Sequence, residues 1–261
     1  MKAIFLEVNQ TLHGYSKGHS LLESSLLLSP KDERRMLRLS DMSGSSMTKG
    51  FENYITGYPL IDKDAFVVAR TWYAPEVSRP GCVWTHSFII DTKYLETIRT
   101  LRPLVNFFIR PNDNWNSKQY REPKFIKLET EDFNENDGDF TAWLGRRETI
   151  YSIFNYPEKS IFIVSDASSR LEHFVLKIWD YQWTDLRRRF AFCTGSIENR
   201  NSSELVFDLQ VIPERNKNSI SRRSPDGIII SDNILAEKSY PNWVNYLDRQ
   251  FLSDSKEAVF F

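Results

Sequence analysis

The segment Phe66-Val-Val-Ala-Arg-Thr-Trp-Tyr-Ala-Pro-Glu-Val-Ser-Arg-Pro-Gly-Cys-Val-Trp-Thr-His-Ser-Phe-Ile-Ile90 decides how the chain folds. Two runs rich in β-branched and aromatic residues, 66–73 and 82–90, flank a linker holding Pro75, Pro80 and Gly81, which is the pattern of a hairpin. Side chains alternate between faces along a strand, so Cys82, Trp84, His86, Phe88 and Ile90 share one face, and Arg70 and Trp72 share a face of the partner run. A second hairpin is expected upstream. Residues 3–8 and 20–28 read as its strands, and the polar stretch 10–19, with Gly14 and Gly18, as its loop.

Working outward, Ser29-Pro30-Lys31-Asp32 has a helix start's composition: an N-cap serine, a proline at the first helical position and an acid in the first turn. The helix should reach residue 39 and bury Met36 and Leu39 with Leu37. Residues 92–101 suit a short helix ended by Pro103. Residues 129–139 carry six acids and no base, the composition of a domain boundary or an exposed loop. The expected division is a β-rich region 1–125 and a helix-rich half 126–261, or one continuous domain. The second half reads as a helix at 141–154, strands at 161–164, 190–193 and 205–212, a basic loop at 214–225 and a helix at 241–252 with Trp243, Leu247 and Phe251 on one side. Ser169-Arg-Leu-Glu172 reads as a capping box, followed by Leu171, Phe174, Val175, Ile178 and Trp179 at helical spacing. The mixture predicts an α+β fold, a mainly antiparallel sheet of hairpins with packed helices.

At 261 residues the chain is long enough to bury a full core, and 18 Phe, 11 Tyr and 7 Trp make that core one of rings. It contains neither G-x-x-x-x-G-K-[ST] nor G-x-G-x-x-G, so the common phosphate loops are excluded. A net charge of −1 argues against a nucleic-acid partner, and Arg187-Arg188-Arg189 and Arg222-Arg223 read as solvated runs. Cys82 and Cys193 form no disulfide framework, which favours a reducing cytoplasm. The opening apolar run stops at Glu7, too short for a signal peptide, and no run approaches the roughly 20 apolar residues of a membrane span.

Three of the four histidines fall in two polar, aromatic-rich segments, 12–19 and 69–86. His13, His19, Cys82 and His86 admit a zinc site, although the spacing is not that of a paired motif. They also admit a nucleophilic thiol, for which His86 is too far along the same strand and only His13 or His19 could be the base. A third reading is a recognition pocket, in which Arg70 and Arg79 hold an anion beside Trp72, Tyr73 and Trp84. The fourth is structural, the polar groups tying loops to a sheet with Trp72 and Trp84 in the core. The residues assigned to ligand or partner binding are His13, Tyr15, His19, Arg70, Trp72, Tyr73, Arg79 and His86, with His19, Arg70 and His86 expected to meet. No residue is assigned to catalysis or to a metal, and no cofactor is expected.

The segments H-G-Y-S-K-G-H-S-L-L (13–22), S-D-M-S-G (40–44), Y-I-T-G-Y-P-L (54–60) and A-R-T-W-Y-A-P-E-V-S-R-P-G-C-V-W-T-H (69–86) together resemble the N-terminal domain of the GTPase-associated proteins of bacterial conflict systems. The stretch W-D-Y-Q-W-T-D-L-R-R-R-F-A-F-C-T (179–194) is similar to a later segment of that family. The resemblance implies a non-enzymatic adaptor or sensor in antiphage defence, coupling a GTPase, another NTPase or an effector subunit to an infection signal. It implies a stand-alone version or one subunit of a larger system. It implies no reaction; the alternative is a hydrolase or nuclease-like effector using His13, His19 and His86.

Overall fold

The runs on either side of the proline-bounded linker pair as an antiparallel hairpin, β4 (Ala65–Tyr73) with β5 (Val83–Asp91), in register from Ala65↔Asp91 to Tyr73↔Val83. The structure is a computed structural model that describes residues 4–41, 48–77, 79–112, 116–128, 139–231 and 238–252. Residues 42–44 of the S-D-M-S-G segment and 129–138 of the acidic stretch lie outside the described residues.

The upstream hairpin also forms, between β1 (Ile4–Tyr15) and β2 (His19–Ser24), but its loop is only Ser16-Lys17-Gly18. Residues 10–15, expected in the loop, continue the strand because Gln10, Thr11 and His13 are buried between strands and take ladder partners on β5. Lys17 at φ 59° and Gly18 at φ 145° supply the left-handed backbone that closes so tight a turn.

β3 (Asn53–Pro59) pairs with β4, and β6 (Lys124–Leu128) with the first half of β1. The second half adds β7 (Ile161–Ser165), β8 (Phe192–Cys193), β9 (Leu209–Pro213) and β10 (Ile228–Ile230), parallel among themselves. β8 runs antiparallel to β3 and so joins both halves in one mixed sheet, ordered β10-β7-β9-β8-β3-β4-β5-β1-β2. The fold is α+β.

Helices cover both faces. α1 (Pro30–Ser40) starts as expected, Ser29 Oγ accepting the Asp32 amide at 3.1 Å, and packs Met36 and Leu39 on Val67, Ala69 and Ile89. Two single turns, α2 (Thr92–Leu95) and α3 (Arg102–Val105), replace the helix expected at 92–101. Pro103 sits in the first turn of α3, where its missing N–H has no helical partner to lose. α4 (Arg146–Asn155) and α5 (Glu172–Asp180) pack on the face opposite α1, and Phe174, Val175, Ile178 and Trp179 are buried against Phe66, Phe88 and Trp143 as the periodicity required. The capping box does not form. Residues Ser169–Leu171 make a 3-10 turn, α5 begins at Glu172, and its carboxylate turns to Arg70 instead.

α6 (Thr184–Arg187) holds Arg187 inward, its Nη1 donating to the Ile98 carbonyl at 3.0 Å and its guanidinium 5.0 Å from the Trp179 ring, so this arginine is not a solvated one. The basic stretch expected as a loop is largely helical: α7 (Lys217–Arg223) buries Ile220 against Phe162, Val164 and Ile212. α8 (Asn242–Leu252) closes the larger core with Val244, Leu247 and Phe251.

Candidate partner-recognition site

Register decides which side chains meet. Arg70 pairs with His86 across β4 and β5, whereas β1 places Leu12 opposite His86 and His13 opposite Thr85. A one-residue offset on a pleated sheet puts a side chain on the other face. His13 therefore lies on the α1 face, and Arg70 and His86 on the α5 face. His19 pairs with Tyr15, two residues from His13, and joins the α1 side. The expected meeting of His19, Arg70 and His86 does not occur.

On the α5 face, His86 is fully buried and fully bonded. Gln10 Nε2 donates to the carbonyls of Gln119 and Glu122, both at 2.7 Å, which turns Gln10 Oε1 toward His86 Nε2 at 2.9 Å. His86 therefore carries its proton on Nε2, and Nδ1 accepts the Ile109 amide at 3.0 Å. Phe88, Phe108 and Tyr120 surround the ring, and burial, with a smaller contribution from Lys124, lowers its pKa to about 3. His86 is a neutral tie between β5, β1 and residues 107–122. Arg70 is also committed. It donates to Asn53 Oδ1 at 2.8 and 3.0 Å and lies 3.4 Å from Glu172 Oε2, whose carboxyl burial raises despite that neighbour.

On the α1 face the polar groups anchor the end of a helix. Ser40 Oγ donates to the Leu37 carbonyl and so accepts from His19 Nε2 at 2.8 Å. Thr85 Oγ1 donates to the Ser40 carbonyl at 2.5 Å and accepts from Thr71 at 2.9 Å. Buried Arg200 reaches the carbonyls of Leu39 and Asp41 at 2.9 and 3.0 Å. Side chains thus satisfy carbonyls that the last turn of α1 cannot. His13 stacks on His19 with centroids 6.2 Å apart, and neither ring nitrogen has a hydrogen-bond partner among the described residues. Burial, then repulsion from His19, lowers its pKa to about 3. The pKa of His19 is also lowered by burial, with Asp41 opposing.

The remaining assigned residues gather at the strand ends, where the loop between β4 and β5 folds over. The Arg79 guanidinium lies 5.9 Å from the Tyr15 ring centroid, within cation–π range. Glu76 holds the loop in place: Trp84 Nε1 donates to Oε1 at 2.7 Å, and Arg110 donates to both oxygens at 2.8 Å and to the Tyr73 carbonyl at 3.2 Å. Trp72, Tyr73 and Trp84 are half-buried, so neither tryptophan is a core residue; Arg79 is exposed. Trp84 lies so close to β1 that a Cβ on Gly14 would be 2.4 Å from its ring.

Sequence reasoning missed Gln10, Ser40, Glu76, Thr85, Arg110, Glu172 and Arg200. Gln10 falls in a stretch read as loop and Glu172 in one read as a cap; Ser40, Glu76 and Thr85 lie inside the quoted segments without being assigned a role, and Arg110 and Arg200 lie outside any motif. Among the described residues no group of three His, Cys, Asp or Glu side chains could hold a metal ion, and no helix is long and apolar enough to cross a membrane.

No curated protein and no solved structure matches the chain. Residues 7–108, which contain most of both hairpins, His13, His19 and His86, and Tyr15, Tyr73, Arg79 and Trp84 of the rim, match the family model of GTPase-associated protein 1, N-terminal domain type 1, and that part of the chain is similar to this domain.

Proposed function

We propose that residues 7–108 form a docking module through which the chain, as a non-enzymatic adaptor or sensor, binds a GTPase or related NTPase in a bacterial defence system. The observation that carries this reading is the rim of Arg79, Tyr15, Tyr73 and Trp84, which stands at the sheet's end inside the segment similar to a GTPase-associated domain. Arginine, tyrosine and tryptophan are the side chains that dominate interface energetics. The Glu76 clamp orders the loop in advance, so docking loses less conformational entropy. The histidines support the same side. A general base works best with a pKa near the operating pH, and His13 and His86 both sit at about 3. A hydrolase using His13, His19 and His86 together finds no shared site among the described residues.

The test is co-purification of the full chain with a candidate GTPase or NTPase co-expressed with it, together with protection of cells from phage. Arg79→Ala is expected to abolish both while thermal stability stays within a few degrees. If Arg79→Ala keeps full activity and His19→Ala alone removes it, with stability and partner binding intact, an enzyme replaces the adaptor.

A further inference from the structure

A cavity of about 510 Å³ opens among the end of α4, the start of β7, α6 and the residues leading into β8 and β9. Its size is within the range of small-molecule sites. The segment 179–194, which the docking reading leaves without a role, supplies much of its wall. Three kinds of side chain meet there. Trp183 and Phe154 are solvent-exposed rings, at 58% and 37% exposure, Phe154 also packing edge-to-face with Trp243. Deeper in, Gln182 is only 5% exposed, and its Nε2 has no hydrogen-bond partner among the described residues. Asp208, also in the lining, uses Oδ2 to accept the Ala191 amide at 2.7 Å. Lys159 and the exposed Arg189 provide positive charge at the wall.

A purely apolar ligand would leave the Gln182 Nε2 amide unpaired, an energetic loss in a buried site. A bare anion would leave the ring faces uncovered. We propose that this cavity binds a mononucleotide, its base stacked on the Trp183 side, the base edge hydrogen-bonded by Gln182 and Asp208, and the phosphate held by Arg189 and Lys159. Burial, opposed by backbone amides and Arg189, pushes the Asp208 carboxyl up to about 6, so near neutral pH it is mostly ionised and accepts from an amino group on the base edge. This site is independent of the docking rim: every residue in it lies beyond position 150.

The test is calorimetric titration of the full chain with the four ribonucleoside monophosphates, the matching nucleosides and inorganic phosphate. At least one monophosphate is expected to bind once per chain, its nucleoside at least about tenfold more weakly, since a phosphate held by arginine adds charge-assisted bonds. Trp183→Ala should weaken binding by at least about tenfold, the loss of one base-stacking partner. Arg189→Ala should bring the nucleotide down to its nucleoside's affinity. Both side chains are exposed, and thermal melting confirms that each variant is folded. The proposal is overturned if no monophosphate binds at about 1 mM, the weak limit of specific recognition. It is also overturned if nucleoside and nucleotide bind equally, or if neither variant changes the affinity.

Discussion

His13 and His86 lie on neighbouring strands, one residue out of register, both fully buried and both with a pKa near 3. They face opposite ways and are held differently. His86 uses both nitrogens, one to Gln10 and one to Ile109; among the described residues His13 uses neither and stacks on His19. Burial is the largest cause of both shifts, with smaller repulsions from His19 and Lys124, so a depressed value says little about role. The hydrogen bonds separate the two. The largest expected effect follows from that difference. His86→Leu strands the buried Gln10 oxygen and takes the acceptor from the amide of partly exposed Ile109, and should cost about 2–4 kcal/mol, since a buried unpaired group costs about 1–3 kcal/mol and a lost hydrogen bond about 1 kcal/mol. His13→Leu removes a side chain with no bonds to lose and should stay within about 1 kcal/mol of wild type at pH 7.5. Urea unfolding of both variants checks the pair; equal losses would erase the contrast.

Acid sharpens the comparison at His13. A histidine whose folded pKa is depressed stabilises the fold above its unfolded pKa of 6.5, and that contribution is lost as pH falls from 6.5 toward the folded value of about 3. Between pH 7.5 and 5.5 the loss is about 1.4 kcal/mol for one such histidine. Asp180 and Asp208, raised by burial to about 7 and about 6, act with the opposite sign, because their contribution is lost as pH rises through those values. The wild-type profile therefore mixes both signs, and the difference between His13→Leu and wild type isolates one group. The variant should gain about 1.4 kcal/mol on wild type between the two pH values. Parallel profiles would mean that His13 is not held neutral.

The same contrast marks how far the residues could be read without coordinates. Alternation in 66–90 and the spacing of Phe174, Val175, Ile178 and Trp179 announce the hairpin and α5, because each element buries one side and exposes another. Among the parallel strands, β7 and β9 overlap the runs read at 161–164 and 205–212, whereas β10, three residues long, is too short to show alternation and goes unread. α7 was hidden by Lys, Asn, Ser and Arg on a helix with one buried anchor, Ile220. Within the site the residue types were legible and their grouping was not. Which face His13 takes depends on the β1–β5 register, and nothing in the spacing of two segments 50 residues apart determines it.

The smallest expected effect falls on the rim, where neither face of the sheet dominates. Partial burial pushes the Glu76 carboxyl up, but its backbone amide, Trp84 and Arg110 outweigh this and hold it below the ordinary value of 4.5. The clamp is therefore intact above the ordinary carboxylate range and loosens as pH falls through the lower, folded value. Glu76 and Arg110 are both about one-third exposed, so the pair contributes at most about 1 kcal/mol to global stability. Glu76→Gln should barely move the unfolding midpoint. Its effect should be local, with faster amide exchange at Val77, which bonds only the Ala74 carbonyl within the loop, and little change at buried Ala74. In the wild type the Trp84 indole N–H resonance should follow the Glu76 titration, with a midpoint below 4.5. A midpoint above 4.5 would mean that burial outweighs the three donors, and the loop would then owe its order to Pro75 and Pro80 instead of to the carboxylate.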